Sequence, residues 1–470
     1  MNRDLEEARR LFLEGCCLMA ESAPQEAEVC FREALRLDPE FAEAHANLGL
    51  LLDEEGKTAE AERQYRRALS LAPDLGRTRL NLGVLLANQK RFLEAEAAYM
   101  SALELTPDSP AAWSNLGVLQ ACRKEEEEAE RSYRRALELD PGYRLASFNL
   151  SYLLLRQGQF AEGWSRLEAR NWYHALERVL PAPRWRGEPL QGRSLLIGFE
   201  AGYGDMIQFC RYANVAKERG AAKITVICHP ALKRLFGTLA GVDELFAFDE
   251  PIPDGGWDFW TPPLSMPLYC GTRLDSIPGK IPYLAAEESL VERWSRRLFR
   301  ESLPRELRVG LVWRGNPCFE NDDQRSLPSL TTLEPLGSIQ GIRLFSLQKG
   351  AGEEGLLESP PLLPLVDLGP EITDFADTAA IVVNLDLIIT VDTAVAHLAG
   401  ALAKECWLLL PEFKPDWRWL TGRSDSPWYP GVIRIFRQPE MGEWKTVVGE
   451  VREALVSRAE SRETKRTQGL

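Results

Sequence analysis

The 470-residue chain has only four histidines, and its nine cysteines include no Cys-x-x-Cys pair. That scarcity leaves no ligand set at structural-zinc spacing, so no metal is expected. An odd, scattered thiol count reads as reduced cysteines in a cytosol, not as a disulfide framework. Basic charge is short as well: 56 Lys and Arg face 70 Asp and Glu, a formal net charge of −14. Phosphate backbones are bound by basic patches, so nucleic acid is not expected as a partner. No apolar run approaches the roughly 20 residues that span a bilayer, so no transmembrane segment is expected. The first residues, MNRDLEEARR, fit neither a secretory signal nor a transit peptide, and the expected location is cytoplasmic. The stretch Gly202-Tyr203-Gly204-Asp205 lacks the third glycine of a dinucleotide fingerprint, and no cofactor is expected.

What the chain does have is a repeat. Asn47-Leu48-Gly49, Asn81-Leu82-Gly83, Asn115-Leu116-Gly117 and Asn149-Leu150-Ser151 recur at a step of 34 residues. Pro39, Pro73, Pro107 and Pro141 keep that step, as do Ala27, Ala61, Ala95 and Ala129, and the rings of Phe31, Tyr65, Tyr99 and Tyr133. An earlier copy begins near Ala8, with Gly15 in the glycine position. Four series in one register resemble the tetratricopeptide repeat over roughly residues 8–175. The resemblance implies units of two antiparallel helices stacked into a solenoid with a concave face. In such repeats Asn47, Asn81, Asn115 and Asn149 face the groove, and amides suit an extended peptide backbone. A polypeptide partner is therefore expected, against the simpler reading that these amides only bond within the solenoid.

Beyond "LPAPRWRGEPLQGR" the step is gone, and short apolar runs alternate with helical stretches. "SLLIGFE", "KITVICH" and "ELFAFDE" form one group; "RVGLVWRG", "IRLFSLQKG", "LDLIITV" and "CWLLLP" form another. Apolar strands alternating with helices predict parallel sheets covered on both faces. The expected architecture is multidomain. An all-α solenoid (1–175) and a connector (176–193) precede two Rossmann-like α/β domains (194–300 and 305–457), and a disordered tail (458–470) follows.

In open α/β sheets ligands bind at the C-terminal ends of strands, and that rule selects the candidates. Asp392, Thr393 and His397 follow the strand "LDLIITV" at the start of a helix, where free N–H groups suit a diphosphate. Asp205 follows the first strand, after the turn glycines Gly202 and Gly204 and before Gln208; it reads as a general base or as a helix cap. Arg314, Asn316 and Arg325 follow another strand, and arginine grips phosphate with a planar fork. Gln348 and Lys349 end the next one. Trp417, Trp419, Trp428 and Tyr429 read as core.

Together "GYGDMIQFCRY", "WRGNP", "SLQKG", "NLDLIITVDTAVAHLAGAL" and "DWRWL…DSPWYP" resemble bacterial tetratricopeptide-repeat proteins with a heptosyltransferase-like module, glycosyltransferase family 9, of GT-B fold. The layout is also similar to that of O-linked N-acetylglucosamine transferase. The resemblance implies an inverting, metal-independent glycosyltransferase. Asp205 is then the base, and the nucleotide-sugar sits on Asp392, Thr393, His397, Gln348, Lys349, Arg314, Asn316 and Arg325. Gly202, Gly204 and Gln208 form the acceptor-side loop. Ala394 stands where that family has glycine, and the Trp-x-x-Lys element keeps Trp313 without its lysine, so a heptose donor is not specified. Two other readings stand beside this one. The first is a non-catalytic scaffold with a degenerate GT-B module. The second is a lipopolysaccharide-type transferase docked through its repeats, for which Arg296–Arg308 is the one candidate membrane-facing segment, itself readable as a linker helix.

Overall fold

A computed structural model describes residues 3–253, 255–353, 356 and 363–467, with side chains to Arg462. Residues divide into two compact units, 1–153 and 154–470.

The first unit consists of helix pairs: α1 (Arg3–Ala20) with α2 (Pro24–Leu37), α3 (Ala42–Glu54) with α4 (Thr58–Leu71), α5 (Gly76–Asn88) with α6 (Phe92–Leu105), and α7 (Pro110–Cys122) with α8 (Glu126–Leu139). The 34-residue step has a steric cause. A Cβ built on Gly15, Gly49, Gly83 or Gly117 would lie 2.7, 2.8, 2.4 or 2.7 Å from the ring of Phe31, Tyr65, Tyr99 or Tyr133 respectively. In each pair the ring of the second helix occupies the volume that a side chain on the first would need. A second series closes the turns. His45 Nε2 lies 3.1 Å from the Pro39 carbonyl, Arg79 Nη2 donates to that of Pro73 at 2.6 Å, and Trp113 Nε1 to that of Pro107 at 2.9 Å. Three unlike side chains thus contact one architectural carbonyl. Asn47, Asn81, Asn115 and Asn149 are half-buried, and Asn47 Nδ2 donates to Cys16 Sγ at 3.3 Å.

The fifth copy departs. Ser151 replaces the glycine and Leu167 the ring. Its second helix, α10 (Phe160–Leu167), belongs to the second unit, as does the end of α9 (Arg144–Arg156) from Leu154. There Phe160 and Trp164 are buried against Trp428, and Trp164 also meets Trp417 edge-on at 5.2 Å between centroids.

The second unit holds two all-parallel sheets. β1 (Ser194–Ile197), β2 (Lys223–Cys228), β3 (Glu244–Ala247) and β4 (Phe259–Thr261) lie in the order β3-β2-β1-β4. β5 (Leu307–Val312), β6 (Ile342–Ser346), β7 (Leu365–Asp367), β8 (Leu387–Val391), β9 (Cys406–Leu410) and β10 (Ile433–Arg437) lie in the order β10-β9-β8-β5-β6-β7. The larger sheet has the Rossmann winding, with its direction switching between β5 and β8. β4, β7 and β10 are absent from the sequence reading. The first two are three residues long, too short for a periodic signal, and β10 alternates buried and open positions (IRIFR) instead of running apolar. The first residues of the segment expected as a disordered tail are helical: 458–467 continue the Trp444–Thr467 helix, which is anchored upstream by Val447, Val448, Val451 and Leu455, buried on the larger sheet's core. Residues 468–470 lie outside the described residues. The Glu288–Glu301 helix, which contains the start of the Arg296–Arg308 segment, buries Leu290, Trp294 and Leu298 and packs on the Phe375–Asn384 helix.

The ring-against-glycine seam makes a prediction. Gly83→Val should destabilise the chain by about 1–3 kcal/mol through overpacking, and adding Tyr99→Leu should recover part of the loss. Guanidinium unfolding followed by circular dichroism measures both; equal losses in the single and double variants would exclude the steric account.

Candidate functional site

Two helices bring the site together. Tyr203–Phe209 follows β1, Ala394–Ala401 follows β8, and the two pack against each other. Their approach depends on Gly204, where a Cβ would lie 2.9 Å from His397 Cδ2 and 3.5 Å from the Ala394 Cα. The sequence reading assigned a tight turn to both glycines. The left-handed residue of that turn is instead Ala201, at φ 59°, while Gly202 is extended at φ −89°. A non-glycine held there is a strained position. The turn is anchored by Glu200 just before it. This carboxylate is wholly buried and accepts from Arg170 Nε at 2.6 Å and Nη2 at 3.1 Å. Burial pushes its pKa up, and the Arg170 charge opposes the rise.

Asp205 sits in the first turn. Its Oδ2 accepts the Gly202 N–H at 2.9 Å, which caps the helix, and its Oδ1 accepts from Nη2 of Arg418. Asp205 thus caps the helix from its first turn, with Gly202 at the N-cap position itself, and the same side chain pairs with Arg418. Arg418 is 5% exposed. It also donates through Nε to Gln208 Oε1 at 2.6 Å and through Nη1 to the Asp416 oxygens at 2.9 and 2.8 Å. Its guanidinium lies 4.4 Å from the Trp417 ring centroid. One arginine therefore ties an acid of the first sheet's helix to an acid of the second sheet's rim. Gln208 is fully buried, and its Nε2 has no hydrogen-bond partner among the described residues.

On the other side Thr393 caps the Ala394–Ala401 helix, accepting the Val395 N–H at 3.3 Å, with Thr390 Oγ1 at 3.0 Å. Asp392 precedes it. Burial pushes the Asp392 carboxyl up to about 7, the Asp416 charge adds to the rise, and the Arg325 charge works against it. His397 is buried. Its Nδ1 lies 2.9 Å from the Tyr429 hydroxyl, and its ring stacks on Trp419 at 5.1 Å between centroids. Burial, then the charges of Arg418 and Arg211, hold its pKa well below the usual histidine value. It is a neutral imidazole at neutral pH and brings no cation to an anionic ligand.

The remaining candidates divide. Gln348 is buried, its amide turned onto the backbone. Oε1 accepts the N–H groups of Trp313 and Arg314 at 3.0 and 3.1 Å, and Nε2 donates to the carbonyls of Arg314 and Ala351 at 3.1 and 2.6 Å. It latches the loops after β5 and β6. Lys349 is exposed, with Nζ donating to the Gly369 carbonyl at 3.0 Å. Asn316 is exposed, and its Oδ1 accepts the Cys318 N–H at 3.0 Å in a local turn. Arg325 pairs with Asp322 at 3.0 Å and lies over the Phe319 ring at 4.3 Å. Arg314 is half-buried on the β5 loop.

Sequence reasoning missed Arg418, hidden in an aromatic run read as packing, and Arg211. Arg211 is buried against neutral groups: the Trp428 carbonyl at 3.0 Å, the Tyr283 hydroxyl at 2.9 Å and the Tyr429 ring centroid at 4.9 Å. It also missed a ring cluster near the ends of β1, β2 and β3. There Phe199, Tyr203, His229 and Phe248 meet, with Phe375 5.1 Å from Tyr203 between centroids. A groove of about 830 Å³, lined by Asp386, Glu405, Arg434 and Arg458, lies at the opposite, N-terminal ends of the larger sheet's strands and contains none of the candidate residues.

Tetratricopeptide-repeat family models match residues 42–75, 74–142 and 127–163, and the chain carries these repeats. It is similar to protein FlbA of Caulobacter vibrioides, 26% identical over 334 residues. The match covers 66% of this chain and 55% of that protein, so the chain spans about half the length of this curated relative. Among solved structures it is similar to PilF of Pseudomonas aeruginosa (24% identity, TM-score 0.33, 36% of this chain and 77% of that one). It is also similar to YrrB, a TPR protein with an unusual peptide-binding site (21% identity, TM-score 0.30, 35% and 84%).

Asp392 sets a pH dependence. Its folded pKa stands above the unfolded value of about 4, so the folded chain binds the extra proton. The stability it contributes is full below the unfolded pKa and is lost as pH rises through about 7. Between about pH 4 and 7 the Tm of the parent should fall relative to that of Asp392→Asn and then level off, and differential scanning fluorimetry checks this. Parallel Tm–pH curves would show that Asp392 titrates normally.

Proposed function

We propose that the second unit is an inverting GT-B glycosyltransferase that moves a sugar from a nucleotide-sugar to a hydroxyl of a polypeptide, and that the repeats recruit this polypeptide. The observation that carries the reading is the placement of Asp205 after β1 and of Asp392 after β8, each at the C-terminal end of a strand in its own parallel sheet. Each acid follows a strand at the point where open α/β sheets bind ligands, and the helices behind them are in contact. In this reading the acceptor oxygen attacks the anomeric carbon while its proton passes to Asp205. The bond from that carbon to the diphosphate oxygen breaks, and the leaving diphosphate meets the N–H groups of the Ala394–Ala401 helix and the cations Arg314, Arg325 and Lys349. Stacked tetratricopeptide repeats are an interaction architecture with an extended binding surface, which supports a polypeptide acceptor.

A second reading, a non-catalytic scaffold, has its own observations. Both oxygens of Asp205 are engaged, His397 is neutral, and Gln348 is turned onto the backbone.

The two readings separate in one experiment. UDP-, GDP-, ADP- and dTDP-sugars are added to the full chain and Tm is recorded. Under the transferase reading one of them raises Tm, by an amount equivalent to about 2.7 kcal/mol at a hundredfold excess over Kd. Asp392→Ala abolishes the rise, and Asp205→Asn keeps binding but loses roughly 10²–10⁴-fold in turnover. No shift with any donor at millimolar concentration would leave the scaffold reading standing.

A further inference from the structure

We infer that Arg418 is an exchangeable counter-ion: it masks Asp205 in the empty protein and leaves it for the diphosphate of an arriving nucleotide. This rests on the transferase reading and adds an order of events to it.

The argument begins with the number of demands on one guanidinium. Arg418 meets Asp205, Asp416 and Gln208 from a position 5% exposed. Asp205 belongs to the helix after β1, and Asp416 to the rim of the larger sheet beside Asp392, whose carboxyl feels the Asp416 charge. Both Asp205 oxygens are already engaged, Oδ2 by the Gly202 N–H and Oδ1 by Arg418 Nη2, so an acceptor hydroxyl competes with the guanidinium for the oxygen that would take its proton. The clasp therefore obstructs the role of Asp205 until the arginine leaves. Arginine prefers a partner that accepts two parallel N–H bonds, and a diphosphate offers more oxygens and more charge than one carboxylate. Asp416 holds the Nη1 edge in place, so the group can swing its Nη2 edge without losing its anchor. Gln208 supplies an independent observation. Its Nε2 is buried and unpartnered next to the guanidinium, and a buried amide N–H is normally satisfied. That N–H becomes the donor available to the Asp205 side once Arg418 turns away. Ion-pair exchange then makes the base available only when the donor is seated, so a sugar acceptor bound alone would meet a masked acid.

The test uses the full chain and titration calorimetry with UDP, GDP, ADP and dTDP, each beside its nucleoside. For the diphosphate that binds, Arg418→Lys should weaken affinity by about tenfold or more and leave the nucleoside unchanged. Asp205→Asn should tighten the same diphosphate severalfold, again without affecting the nucleoside, because the competing anion is gone. A merely structural role for the pair predicts no gain from Asp205→Asn. An unchanged or weaker diphosphate in Asp205→Asn overturns the inference, as does an equal loss of nucleoside and diphosphate in Arg418→Lys. Should Arg418→Lys fold poorly, Asp205→Asn decides alone. If the parent binds none of the eight compounds, the transferase reading itself fails and the inference with it; if the parent binds and the variants match it, only the inference falls.

Discussion

A guanidinium cannot be buried without partners that compensate its charge, and the residues around Arg418 are arranged to meet that requirement. Arg418 lies at the base of two aromatic walls, Trp417 and Phe209. Leaving it there without carboxylates would cost several kcal/mol, so acids must arrive from both sheets. Asp416 comes from the same turn. Asp205 comes from 213 residues away, and its arrival fixes where the Tyr203–Phe209 helix must stand. Gly204 then has to be glycine, because that helix presses on His397. The Ala201 strain and the Glu200–Arg170 pair behind it hold the turn that delivers Asp205. One desolvated charge is thereby joined, through Asp205, to a helix, a strained turn and the buried ion pair behind it.

Arg211 solves the same problem differently. It has carbonyls, hydroxyls and ring faces around it, so its charge is spread over dipoles and quadrupoles instead of being neutralised. Burial first, and then the positive potential of the two arginines, keeps the His397 ring neutral. A neutral histidine can still donate or accept a hydrogen bond, and its Nδ1 lies beside the Tyr429 hydroxyl.

The parts legible in the sequence are those whose cause is local. A ring that fills the place of a side chain must recur wherever its glycine recurs, so the 34-residue step is visible without coordinates. Strands of five or six apolar residues announce themselves; β4 and β7, with three residues each, do not. The positions of Asp205 and Asp392 just after strands are legible because a strand end is a local event. The pairing of Arg418 with Asp205 has no local signature, since nothing near residue 418 refers to residue 205. Gln348 shows the converse: its position at a strand end was read correctly, but the direction of its amide was decided by a loop that folds back on β5.

The seams of the first unit have one further consequence. From Gly15 to Tyr133 every seam is the same joint, a ring against a bare Cα, and the turn carbonyl beside it accepts imidazole, guanidinium or indole alike. Such a joint does not record which copy it belongs to. The array behaves as a ruler marked in identical divisions, and a division can be duplicated or deleted while every remaining joint still meets a matching face. The ruler has one fixed end. Ser151 and Leu167 break the joint in the fifth copy, whose second helix is buried among the tryptophans of the next unit. Length can therefore vary on one side only, without disturbing the residues around Arg418.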